Sequence, residues 1–119
     1  MSYWSERAIV LQNAIRDLCG FEEPRKTKVL DFGCGRGFLV AEFYSMGFDV
    51  FGCDVEAYWN SMGRTEHISP ADLATLKSRI RGEIGGRLKI ISQEPFRLPF
   101  EDSSFDVVIS TSVLYHFAI

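Results

Sequence analysis

Apolar positions near the N-terminus recur at helical intervals. Ala8, Leu11, Ile15 and Leu18 share one face over residues 5–19, and Gly20 follows as a stop, so the spacing predicts an amphipathic helix with one buried side. A polar stretch, 21–27, holds Pro24 and reads as a linker. The pattern then shortens. Lys28-Val29-Leu30-Asp31-Phe32 predicts a strand that runs directly into three alternating glycines, Gly33, Gly35 and Gly37. Phe38 to Met46 predicts a second helix closed by Gly47, and Asp49-Val50-Phe51-Gly52-Cys53-Asp54 a second strand ending on a carboxylate.

Residues 55–69 lack a clear period, apart from a helical turn expected around Ala57–Met62. At Ser69-Pro70-Ala71-Asp72 an N-cap serine, a proline at the first helical position and an acid in the first turn coincide. Leu73, Leu76 and Ile80 supply the buried stripe of the helix that follows, which ends near Gly82 or Gly85-Gly86. Leu88 to Ile91 predicts a third strand. Phe105 to Ser110 predicts a fourth, a continuous apolar run of the kind buried on both faces. Strands alternating with helices imply right-handed crossovers and a parallel sheet, so the fold class is α/β.

Composition narrows the class of partner. The 119 residues make one domain, 46% hydrophobic and 24% charged, large enough for a real core. A net charge of -3 argues against a nucleic-acid backbone as the main partner. Cys19, Cys34 and Cys53 show no C-x-x-C spacing and cannot all pair, which suits a reducing compartment and fits neither a disulfide scaffold nor a zinc module; no metal site is expected. No apolar run approaches the roughly 20 residues of a membrane span, and charges interrupt the N-terminus where a signal peptide would be apolar. The expectation is a cytoplasmic domain.

The candidate chemistry centres on Val29-Leu30-Asp31-Phe32-Gly33-Cys34-Gly35-Arg36-Gly37-Phe38. A strand leaving into glycines and then a helix brings backbone N–H groups close to a ligand at the positive end of that helix. The spacing discriminates among ligands. A dinucleotide loop wants glycine where Phe38 stands, and a Walker loop wants Gly-Lys-Ser/Thr, which is absent. Asp31, two residues before the first glycine, would repel a pyrophosphate and suits a cationic ligand. Asp54, at the end of the second strand, is placed as an acceptor for ribose hydroxyls, and Glu94 after the third strand as an acceptor for an adenine amino group. An adenosine ligand carrying positive charge fits these three acids.

With these residues the chain resembles the class I S-adenosylmethionine-dependent methyltransferases of the small-molecule branch. Val29–Gly37 is similar to their first motif and Gly52-Cys53-Asp54 to the acidic end of their second strand. Glu94 through Val108, with Leu98-Pro99-Phe100 and Phe105-Asp106-Val107-Val108, is similar to their later signature, which Val113-Leu114-Tyr115-His116 continues with Tyr115 where that branch often has Glu. The resemblance implies a Rossmann-like doubly wound parallel sheet with helices on both faces. About four strands are present, in the order 3-2-1-4, so the single domain 1–119 would lack the family's C-terminal strands. It implies S-adenosylmethionine as cofactor and S-adenosylhomocysteine as product. Asp31, Gly33, Cys34, Gly35 and Gly37 would hold the methionine end, Asp54 the ribose, and Glu94, Val55 and Phe96 the adenine; Ser110 and Thr111 would line the site. His116 is a candidate general base.

The acceptor implied is a small molecule, lipid or sugar, since Ser110-Thr111-Ser112-Val113 lacks the Pro-Pro-Tyr/Phe of DNA amino-methylating enzymes. A fourth strand at the end of the chain would leave an apolar edge for a homo-oligomer or partner chain to cover. The long segment 55–87, with Tyr58, Trp59 and Met62, is placed to form a lid or acceptor surface. Plainer readings stand beside these. Cys34 reads as a packing residue, and Lys77, Arg79, Arg81, Arg87 and Lys89 as a solvated face. Tyr3 and Trp4 either staple the first helix to the body or cover the ligand. The competing functions are a non-catalytic S-adenosylmethionine-binding module or truncated remnant that needs a partner chain, half of a nicotinamide oxidoreductase, and a folded fragment that binds nothing.

Overall fold

A computed structural model describes residues 3–54, 69–93 and 96–111. In chain order these form α1 (Tyr3–Cys19), β1 (Lys28–Phe32), α2 (Phe38–Ser45), β2 (Asp49–Asp54), α3 (Pro70–Arg81), β3 (Leu88–Ile90), β4 (Ser92–Gln93), β5 (Phe96–Arg97) and β6 (Val107–Ile109). Single 3-10 turns occupy Pro24–Lys26 and Gly85–Arg87. The expected helical turn at Ala57–Met62 and the proposed lid residues Tyr58, Trp59 and Met62 lie outside the described residues.

Four strands form one parallel sheet in the order β3-β2-β1-β6, as the expected 3-2-1-4 arrangement requires, with β6 as the fourth strand. The register sets Leu30 beside both Phe51 and Val108, and Asp54 beside Ile90. A small antiparallel pair, β4 with β5, follows β3 and was not expected from the sequence.

Strand alternation divides the core in two. Val29, Val50, Val107, Ile109 and Leu88 face α1 and α2, whose Ala8, Ile15, Phe38, Leu39, Val40 and Phe43 fill the space between. Leu30, Phe51 and Cys53 point the other way, toward Ile91, Phe100 and Phe105. The three described α-helices contribute to the first face, so the expectation of helices on both faces is met on one of them among the described residues. α3 joins this layer through Arg79, which donates to Ala41 O (3.3 Å) and Ser45 Oγ (2.5 Å) near the α2 C-terminus. Gly52 lets the layers close. A Cβ there would lie 2.8 Å from Cys34 Cβ, Cys34 Sγ and Val40 Cγ2.

Two details differ from expectation. Leu18 is 84% exposed and not part of the buried stripe. At about 100° per residue it lies about 80° round the helix from Ala8, on the rim of the stripe and in its last turn. The fourth strand is also shorter than Phe105–Ser110 and is not buried on both faces, since Val108 is 61% exposed. Its start is fixed by Asp106, whose N–H donates to Lys28 O and whose Oδ2 accepts the Lys28 N–H, both at 2.8 Å. Asp106 of the Phe-Asp-Val-Val signature is therefore a structural clasp between β6 and β1.

Candidate functional site

The glycine loop is built on the ends of β1 and β2. Gly33 N–H and Cys34 N–H both donate to Cys53 O, at 2.8 and 3.0 Å, and Gly37 N–H donates to Cys34 O at 3.0 Å. Gly35 N–H donates to Asp54 Oδ2 at 2.8 Å. The amides expected to face a ligand are thus satisfied within the protein, and the loop's contribution is close approach instead. At Gly35 φ is +55° and nothing lies within 4 Å of where a Cβ would stand, so the backbone borders open space. Gly37 serves packing. With φ at +87°, its absent Cβ would fall 2.8 Å from Leu88 Cδ1, at the point where the loop turns into α2.

Two acids end adjacent strands. Asp31, on β1, is 3% exposed, and its Oδ1 has no hydrogen-bond partner among the described residues. Burial first, and then the neighbouring Asp54 charge, push its carboxyl up to about 7, against an opposing pull from the Arg7 guanidinium. Asp54 is also buried, and its main-chain carbonyl accepts the Ile91 N–H at 2.8 Å where β3 joins the sheet. Cys34 is buried and its thiol is pushed well up, chiefly by burial; the Cys53 thiol is pushed up to about 12 for the same leading reason. Neither is a thiolate nucleophile near neutral pH, in keeping with Cys34 as a packing residue.

A cavity of about 120 Å³ joins these parts. Asp31, Gly33, Cys34, Gly35 and Thr111 line it, with Trp4, Arg36, Phe38 and Leu39. Trp4 reaches it from α1, in a T-shaped contact with Phe38 with ring centroids 5.9 Å apart and planes at 63°, so it both staples the helix and walls the cavity. The motif reading missed Arg7 as a counter-charge for Asp31. The available signal was helical spacing, since Trp4 stands four residues before Ala8 on the buried stripe, and Arg7 stands three residues after Trp4 and four before Leu11.

The structure therefore brings Asp31, Gly33, Cys34, Gly35 and Thr111 together, with Asp54 bonded to the loop from β2. Gly37 packs on Leu88 and Ser110 is exposed after β6; neither lines the cavity. Phe96 lies in β5, and its side chain is not described. Val55, Glu94 and His116 lie outside the described residues. Among the described residues no group of three side chains is arranged to hold a metal, and no helix is long and apolar enough to cross a membrane.

A parallel α/β sheet with a glycine loop and two acids at the carboxyl ends of adjacent strands defines a protein that binds its ligand in the crevice outside those ends. The family model described as a methyltransferase domain matches residues 30–118, and the chain belongs to that family. Among solved structures it is similar to CalS10 with SAM bound, an amino pentose methyltransferase of Micromonospora echinaspora involved in calicheamicin biosynthesis. Identity is 25% and the TM-score 0.51, over 91% of this chain and 36% of that one. A Methanococcus maripaludis protein described as a candidate S-adenosyl-L-methionine-dependent methyltransferase shares the fold, with 15% identity and a TM-score of 0.50, over 99% of this chain and 55% of that one. The chain thus spans about a third and about half of these two proteins. No curated protein matches it.

Proposed function

We propose that the chain carries the cofactor site of a methyltransferase that uses S-adenosylmethionine and methylates a small-molecule acceptor. A sugar is the acceptor class that the likeness to an amino pentose methyltransferase supports. The observation behind this reading is Asp31, a buried carboxylate with one oxygen unpartnered among the described residues, in a cavity walled by the glycine loop. Such a group is costly to ionise alone and is relieved by a cation. An amino-acid ammonium meets that need, whereas a pyrophosphate would face Asp31 with the loop amides already engaged. The residues present therefore fit S-adenosylmethionine better than a nicotinamide dinucleotide.

In this reading Asp31 takes the ammonium, and the loop from Gly33 to Gly37, including Cys34 and Gly35, lies along the methionine part. Asp54 takes the ribose hydroxyls. It already accepts the Gly35 N–H on Oδ2, and a carboxylate has acceptor capacity beyond one bond. Glu94, Val55 and Phe96 serve the adenine, Ser110 and Thr111 line the site, and His116 is the candidate base for an oxygen acceptor. Bound there, S-adenosylmethionine supplies an electrophilic methyl on sulfur. The chain's own part is alignment, which needs no protein nucleophile, in keeping with the inert buried thiols. Three free cysteines suit a reducing, cytoplasmic compartment, and β6, an edge of the sheet among the described residues, is where a further strand or a second copy would pair.

Calorimetric titration with S-adenosylhomocysteine tests the reading. Saturable binding near one per chain is expected, weakened about tenfold or more by Asp54→Ala, which removes a charged acceptor. Binding of NAD instead of S-adenosylhomocysteine would overturn it.

A further inference from the structure

We propose that Trp4 is a cofactor-contacting residue. Its indole forms the aromatic wall beside the cationic amino-acid end of the ligand, so α1 takes part in binding although it precedes the stretch, 30–118, that matches the family. The proposal rests on the cofactor reading above.

Trp4 lines the same small cavity as Asp31 and Gly35. The ring is held in place by its T-shaped contact with Phe38, the first residue of α2. Behind it, Ala8 and Ile15 anchor α1 in the core, so the indole is positioned by the body of the protein and not by a loose terminus. Trp4 remains half-buried, with part of its surface open to the cavity. A tryptophan face is the best of the aromatic partners for a cation, and the attraction operates within about 6 Å of the ring centre. The electrostatics point the same way. Arg7, one helical turn along α1, already acts favourably on Asp31, so this end of α1 faces a place that calls for positive charge. An aromatic wall and a buried carboxylate together make a site for an organic ammonium, one group supplying charge and the other excluding water from it.

The test uses the full chain as the reference for affinity and its Trp59→Phe form, in which Trp4 is the one indole, for emission. Titration with S-adenosylhomocysteine is followed both by calorimetry and by indole emission. Emission is expected to change saturably with the calorimetric midpoint. Trp4→Leu is expected to weaken S-adenosylhomocysteine about tenfold and Trp4→Phe about threefold, while 5′-methylthioadenosine, which has no amino-acid end, binds Trp4→Leu and the reference alike. Unchanged emission despite calorimetric binding, or equal weakening of both ligands by Trp4→Leu, would overturn the proposal and leave the cofactor reading standing. Loss of S-adenosylhomocysteine binding in the reference itself would remove that reading, and the role of Trp4 with it. If Trp4→Leu fails to fold, the emission of the Trp59→Phe form and the affinity of Trp4→Phe decide.

Discussion

On the side of the sheet that carries α1, α2 and α3, buried residues from Ala8 to Ile109 form one continuous core, and Phe43 and Phe48 meet at 5.0 Å within it. On the other side, among the described residues, the buried members of the apolar cluster are only Leu30, Cys53 and Ile91. Around them Phe51, Phe100 and Phe105 stack edge to face, with Lys28 Nζ over two of the rings. A cavity of about 590 Å³ opens there between Leu30, Val108 and the 97–105 loop. The cavity beside the glycine loop belongs to the first side, since Asp31 follows Val29 at a two-residue step and α1 and α2 supply Trp4 and Phe38. The difference teaches that the site draws its rigidity from the helical layer, where a buried carboxylate can be held dry. The aromatic side holds the sheet together through rings and cations at its margin.

The largest effect that separates the two sides is truncation of a ring. Phe43→Ala, 1% exposed, should cost about 3–5 kcal/mol in urea unfolding, against about 1–2 kcal/mol for the half-buried Phe100→Ala. Equal costs would break the distinction.

Next comes the buried charge. Asp31 has its pKa raised from 3.8 to about 7 in the folded protein, so between those values the folded form binds more protons than the unfolded one. The ligand-free protein should therefore lose stability as pH rises from about 4 to about 7, by on the order of 3–4 kcal/mol, and change little from this group above that. Asp31→Asn should flatten the dependence in pH-resolved thermal denaturation. A stability that instead rises because of Asp31 over this window would contradict burial as the dominant influence on its carboxyl.

A smaller effect concerns the contact between the loop and the helical layer. Gly52→Ala should destabilise by about 1–3 kcal/mol, since the new methyl meets Cys34 and Val40 at 2.8 Å. Gly86→Ala, with nothing within 4 Å, should stay within about 0.5 kcal/mol in the same denaturation experiment.

Much of this was legible in the sequence. The strand–glycine–helix run and the acid at the end of β2 mark local geometry, the alternation of helices and strands led to a parallel sheet, and the resemblance to the methyltransferases supplied the observed strand order. What the pattern did not show was long-range. The bond from Gly35 N–H to Asp54 spans two strands, so the motif alone did not reveal that the loop amides are engaged within the protein. Arg7 and Trp4 act on the site from a helix that carries no motif, and the packing of α1 on α2 is what brings them there. Asp106 looked like part of a signature near the site and proved to be a clasp for β6, because a side-chain bond to the main chain of another strand has no signature of its own.

The central claim, that Asp31 receives the cationic end of the cofactor, is tested most directly by counting protons. S-adenosylhomocysteine would be titrated calorimetrically at pH 6 in two buffers of different ionisation enthalpy, and again at pH 8.5. With the free carboxyl at about 7 and the bound one ionised beside an ammonium, close to one proton should be released per ligand at pH 6 and almost none at pH 8.5. Binding at pH 6 with no proton released would show that the ammonium does not sit on Asp31.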